Sequence, residues 1–378
     1  MKKVLPTHIL RVSVASFLVA VLAACSSTPD KPKPVDLPAN VALLGVRQAW
    51  SAKLGDVSFP LTVSVSGSTV AVASNNGTVL ALDGATGREL WRASVGAPLS
   101  AGVGSDGKIT AVVTRENEVV ALDAGRVLWR QRLGAQTYTA PLVAGGRVFL
   151  LAADRSVAAF DGQNGRKLWN QQRTGEALVL GQSSVLLAVG DTLVAGLSGR
   201  LVGMNPANGS TRWEAAIAAP RGTNEVERLV DLVGSVSRVG NVVCARAFQS
   251  SVGCVDALSG RLLWTKPAVA SEGVGGNDTM VFGAESNGNV LAWSRADGER
   301  LWSSERLRYR HLSAPLAVGR SVIVGDGTGL VHFLSREDGS ALTRMSTDGS
   351  AIAADPVLAG NTVVVVTHNG GVFGFQPE

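Results

Sequence analysis

The chain has 378 residues, with 35 Lys and Arg against 30 Asp and Glu and a formal net charge of +5. A signal carrying Lys2, Lys3 and Arg11 would leave about +2 once removed, and with no basic run elsewhere a nucleic-acid footprint is excluded. The 44 glycines, the many Val and the scarcity of long helix-forming runs point to an all-β chain, longer than one ordinary domain but within the reach of barrels and repeat folds.

Met1-Lys2-Lys3 precedes an apolar stretch from Val12 to Ala24 that is broken only by Ser13 and Ser16. Such a stretch reads as a secretory signal and is too short to span a membrane comfortably. Leu22-Ala23-Ala24-Cys25 resembles a bacterial lipoprotein box. That resemblance implies cleavage before Cys25 and acylation, including palmitate, of the new N-terminus, while Ser26 resembles the residue found in lipoproteins sent on to the outer membrane. "SSTPDKPKPVDLPAN" at 26–40 is Pro-rich and polar and is expected to act as an extended tether. The expected organisation is a signal peptide over 1–24, a lipidated tether over 25–40 and one folded domain over 41–378.

From there a phrase recurs: "ALDGATGRELW" at 81–91, "AFDGQNGRKLW" at 159–169, "GMNPANGSTRW" at 203–213, "CVDALSGRLLW" at 254–264 and "AWSRADGERLW" at 292–302. Trp50, Trp91, Trp129, Trp169, Trp213, Trp264 and Trp302 fall in one phase, with a period of about 40 residues, the length of a four-stranded propeller blade. Upstream of each phrase stand two short β-branched runs, joined in the first copy through Asn75-Asn76-Gly77, where a tight hairpin requires positive φ. Asp83 can bond the amides of the next turn, Gly87 takes a position that resists a β-carbon, and the short strand that follows delivers an indole large enough to fill the gap between blades.

Gly125 keeps the spacing to Trp129 in a shorter turn, whereas Gly339 leads to Thr343, so one blade contact is expected to be weaker. "APL" at 97–99, 140–142 and 314–316 marks the opening of the following blade, where proline misses no ladder bond. Eight phase positions, a last copy without an outer strand and a first tryptophan without preceding strands predict one arrangement. It is an eight-bladed β-propeller of four-stranded antiparallel blades, its ring closed by an N-terminal strand around 48–53, with seven blades as the competing count.

The A-x-D-x-x-x-G-x-x-x-W phrase is similar to the tryptophan-docking repeat of quinoprotein dehydrogenases and of the non-catalytic proteins that share their propeller. With a lipoprotein signal and no other module, the whole mature chain resembles the BamB family of outer membrane protein assembly factors. That resemblance implies a non-enzymatic scaffold without cofactor, lipid-anchored on the periplasmic side of the outer membrane. By the same implication it binds the periplasmic POTRA domains of BamA, meets other Bam lipoproteins through the complex, and is a candidate to meet unfolded outer-membrane clients.

The copies differ most between Trp213 and Trp264, where "APRGTNEVERLVDLVGSVS" at 219–237 adds length. Glu225, Glu227, Arg228 and Asp231 alternate there with Val226, Leu229, Val230 and Leu232, and the preceding connection places Leu178, Val179 and Leu180 near a turn. Both connections join an outer strand to the next inner strand and should emerge as neighbours on one face. An apolar pair beside an acid and an arginine suits a partner domain, and inner-strand core residues fit the same pattern equally well. The family resemblance implies partner binding by Leu178, Leu180 and Asp231, with Glu227 and Arg228 alongside. Gly181 stands where the family has an arginine and Val233 where it has a second acid, which weakens the charge-pairing part of that implication.

No catalytic site and no metal site are expected. His311, His332 and His368 stand alone, without a second ligand at metal-like spacing, and solvated positions explain them. "GDGTG" at 325–329 lies between two strands rather than before a helix, as a hairpin turn does. Aligning blades places Cys244 on Ala71 and Cys254 on Ala81, facing across one hairpin, so a disulfide is open in an oxidising compartment. The competing functions are a quinone-cofactor (PQQ) dehydrogenase, against which the missing adjacent cysteine pair and acid-rich calcium cluster argue, and an envelope-anchored propeller with another partner.

Overall fold

The computed structural model describes residues 32–173 and 178–378. The signal and the lipidation expected at Cys25 lie outside the described residues. Eight four-stranded sheets, each with antiparallel neighbours, make up the fold: blade 1 (64–94), blade 2 (99–132), blade 3 (142–171), blade 4 (186–216), blade 5 (232–267), blade 6 (274–304), blade 7 (316–346) and blade 8 (357–377 with Val46–Lys53). Eight sheets, not seven, follow from this count.

Local sequence explains the strand types. Middle strands such as Thr69–Ala73 and Thr362–Val366 are nearly continuous runs of Val, Ala and Thr because both faces pack on neighbouring blades, and apart from Thr69 their side chains are buried. Outer strands such as Glu89–Ser94 keep one face in water and alternate between exposed and half-buried. The core therefore lies between blades rather than at one centre: Val148, Leu150 and Phe160 of blade 3 pack with Ala111, Val113 and Trp129 of blade 2. Leu193, Val202 and Met204 of blade 4 pack with Phe149 and Trp169 of blade 3.

Strand Val46–Lys53 pairs antiparallel with Gly371–Pro377, from Val46 opposite Pro377 to Lys53 opposite Gly371. This closes the ring through the expected segment and removes the open edge of blade 8. The compact unit begins earlier than the expected boundary at residue 41, at Val35. The Val35 amide donates to the Arg308 carbonyl at 3.1 Å, Asn40 Nδ2 to the Arg344 carbonyl at 3.0 Å and the Leu43 amide to the Leu342 carbonyl at 2.7 Å, while Leu37 packs against the core between blades 6 and 7. A Pro-rich segment can lie along a sheet in this way because its carbonyls still accept and the few remaining amides find partners.

Each docking tryptophan rests on the turn glycine of the next blade. A β-carbon on Gly87 would come within 2.5 Å of the Trp50 ring, one on Gly165 within 2.6 Å of Trp129, and one on Gly298 within 2.5 Å of Trp264. These glycines also hold positive φ, at 69°, 72° and 74°, so conformation and contact each demand glycine. In five of the seven the indole N–H also donates to a carbonyl of the same turn: Trp50 to Gly84 at 3.1 Å, Trp129 to Gly162 at 2.8 Å, Trp169 to Pro206 at 3.0 Å, Trp264 to Arg295 at 2.8 Å and Trp302 to Arg336 at 2.9 Å, whereas the buried Trp213 N–H has no partner among the described residues. Asp83 ties the turn by accepting from the Thr86 amide at 2.9 Å and its hydroxyl at 2.7 Å, bonds that hold its carboxyl below the usual range. Thr343 breaks the series for a structural reason. Its successor is blade 8, where the chain ends occupy the place of the turn and no floor exists for an indole.

Cys244 and Cys254 are register partners on adjacent strands of blade 5 and are joined by a disulfide. Both are fully buried, with Arg295 Nη1 3.2 Å from the Cys244 sulfur. Digestion without reductant is expected to release one linked peptide pair carrying these cysteines, and two free thiols by mass spectrometry would contradict it. His332 is not solvated as expected: it is buried, with Nε2 2.9 Å from Asp326 Oδ2, and the same carboxylate accepts from Arg310 Nε at 2.7 Å. Burial pushes His332 down, against the pull of Asp326. Asp326 opens the 325–329 hairpin turn, taking the Thr328 and Leu330 amides at 2.8 and 3.0 Å.

Candidate functional site

The connection 172–185 leaves the outer strand of blade 3 for the inner strand of blade 4, and 217–231 makes the same step from blade 4 to blade 5. Residues 178–185 of the first and the second connection therefore emerge on one face, and they touch. The Leu180 amide donates to Asp231 Oδ2 at 3.1 Å, the Ser184 hydroxyl to the Leu232 carbonyl at 2.7 Å and the Gly234 amide to the Ser183 carbonyl at 2.8 Å. Extra length in the second connection is spent on a small capped turn. Asn224 Oδ1 accepts the Glu227 amide at 2.9 Å and Glu227 Oε2 accepts the Thr223 amide at 2.8 Å, a reciprocal arrangement like a capping box. The Thr223 amide, foremost, and its hydroxyl hold the Glu227 carboxyl below the ordinary range.

The sequence-proposed residues divide in this geometry. Leu178 and Leu180 are half-buried and Gly181 is exposed. Glu227 is exposed and bonds within its own turn; Arg228 is half-buried on the same turn. Val230 and Leu232 are core residues, 7% and 1% exposed, so the alternation there reflects the inner-strand reading, whereas Val226 stands 71% exposed at the tip. Asp231 is not a free surface acid. Its side chain is 13% exposed and pairs with Arg155 at 2.9 Å.

Arg155 is the residue the sequence reading passed over. It lies at the hairpin tip of blade 3, six residues before Asp161, where the equivalent position of blade 1 is Gly77, six before Asp83. An arginine in a glycine position, at φ 66°, was the available signal.

The axis of the wheel carries a cavity of about 490 Å³ lined among others by Thr139, Gln182, Ser235, Glu272 and Asp355. Asp355, entering blade 8, takes the Ser235 hydroxyl from blade 5 and the Ala314 amide at 2.8 Å. Burial raises Asp355, and burial reinforced by Asp355 pushes Glu272 up to about 7. Among the described residues, no group of three or more His, Cys, Asp or Glu could hold a metal ion.

These features define a tryptophan-docked, eight-bladed propeller with two fused loops on one face. The family model described as "Outer membrane protein assembly factor BamB" matches residues 46–99 and 75–304. A protein of that name from Burkholderia pseudomallei is 43% identical, with 95% of this chain and 96% of the relative covered; one from Bordetella pertussis is 36% identical, with 93% of each covered. The crystal structure of BamB from Moraxella catarrhalis superposes with a TM-score of 0.79 at 23% identity, covering 88% of this chain and 99% of that one. Quinohemoprotein alcohol dehydrogenase from Comamonas testosteroni reaches 0.68 at 14% identity, covering 91% and 79%, a likeness of fold alone. The chain belongs to the BamB family of outer membrane protein assembly factors.

Proposed function

We propose that the chain is a non-enzymatic scaffold of the outer-membrane β-barrel assembly machinery. A lipid on Cys25 and a tether running to about Pro34 hold it on the periplasmic side of the outer membrane. It binds the POTRA domains of BamA and so assists the insertion of β-barrel proteins, meeting other Bam lipoproteins through the complex. Family membership supports the assembly role, since the relatives are named as outer membrane protein assembly factors. The observation that carries the docking face is the junction of connections 172–185 and 217–231, where half-buried Leu178 and Leu180 share one side of the wheel with exposed Val226.

Leu178→Asp combined with Val226→Asp is expected to weaken capture of the POTRA domains by about tenfold or more, with the melting temperature little changed because neither side chain belongs to the buried core. Wild-type capture by this double variant sinks the proposed face.

A further inference from the structure

We propose that Arg155 is a positioning residue that locks the docking face into its binding shape, with Asp231 as its partner rather than as a contact to the bound protein. The inference rests on the docking face described above and deepens it.

Arg155 sits at a hairpin tip where five other blades carry Gly77, Gly199, Gly288, Gly329 and Gly370, and blade 2 carries Asn117, a residue type that tolerates this region, all at positive φ. A residue with a side chain is disfavoured in that conformation, so its presence calls for a compensating interaction. The guanidinium provides one. Arg155 is 6% exposed; its Nη1 donates to Asp231 Oδ1 at 2.9 Å and its Nη2 to the Leu178 carbonyl at 3.1 Å. The second Asp231 oxygen accepts the Leu180 amide. One buried ion pair therefore binds the tip of blade 3 to both loops, and it grips the apolar loop by its backbone on either side of Val179.

A carboxylate with both oxygens so engaged, and with 13% of its side chain exposed, has little left to offer a partner. Its contribution is to remove alternative loop conformers, which otherwise reduce apparent affinity by the fraction of time spent outside the competent shape. Recognition then falls to the apolar residues, so capture should depend weakly on salt, unlike an interface made through exposed charges.

The test measures binding of the full chain to BamA POTRA domains at 0.1 and 0.5 M salt (about one and less than half a nanometre of screening length), together with hydrogen exchange at the Leu180 amide. Arg155→Met and Asp231→Ala are expected to weaken binding on the order of tenfold and to speed Leu180 exchange. Arg155→Lys and Asp231→Asn, which keep a donor and an acceptor, should recover much of both; if Arg155→Met does not fold, these two carry the test. Wild-type binding should change by less than about threefold between the two salts. The proposal is overturned if Arg155→Met binds normally. It is equally overturned if Asp231→Asn is as weak as Asp231→Ala, binding falls steeply with salt and Leu180 exchange is unaltered, because Asp231 then acts as an exposed charge. Loss of effect from Leu178→Asp with Val226→Asp, by contrast, removes the face itself.

Discussion

Alanine in place of Trp129 is expected to lower the unfolding free energy by about 3–5 kcal/mol. The side chain is 8% exposed, it packs on Phe160 with ring centroids 6.2 Å apart, and its N–H donates to the Gly162 carbonyl. Truncation would empty the joint between blades 2 and 3 and orphan that carbonyl. Gly165→Ala attacks the same joint from the opposite side: its β-carbon would lie 2.6 Å from the indole, on a residue at φ 72°. It should cost roughly as much as a misplaced core methyl, about 1–3 kcal/mol, and the two changes together should cost less than their sum because they break one contact. Thr343→Ala, at the seam without a docking floor, should cost clearly less. Urea midpoints check all four proteins; a Gly165→Ala midpoint equal to wild type would refute the docking account.

Glu272→Gln is expected to stabilise the wheel at pH 8 and to flatten its stability profile between pH 4.5 and 7. The folded carboxyl lies near 7 against an ordinary 4.5, raised by burial and then by Asp355. Over that interval the folded protein binds the extra proton. Glu272 therefore favours folding most below pH 4.5, and that contribution disappears as pH rises through 7. Its upper bound is about 3 kcal/mol; since Glu272 keeps part of its surface in the axial cavity, about 1–2 kcal/mol is expected. Denaturation at a series of pH values checks the sign. A profile for Glu272→Gln parallel to wild type across the interval would show that this group does not titrate there.

Much of this fold was legible because a blade is written in a local code. Asp83, Gly87 and Trp91 lie within nine residues, and the turn they mark recurs with small changes in blades 1 to 7. Ring closure was legible for a related reason, since an outer strand missing at one end of the chain matched one surplus at the other. The spacing announced that indoles fill the gaps between blades, but not which residues meet them or each other there. The glycine looked like a turn requirement, yet it is also the floor for the preceding blade's indole. Asp231 looked like a surface acid among alternating residues, because its partner is 76 positions away in another blade. The 35–40 segment looked like free tether, because proline and polar residues describe an extended backbone equally well whether it lies in water or along a sheet.

The pairing of Val46–Lys53 with Gly371–Pro377 also orders events in time. A polypeptide delivered from its N-terminus exposes the first strand long before its mate exists, so that strand remains an unsatisfied edge while seven blades take shape behind it. The wheel latches only when the final segment arrives, at the greatest sequence separation the domain contains, a slow kind of step.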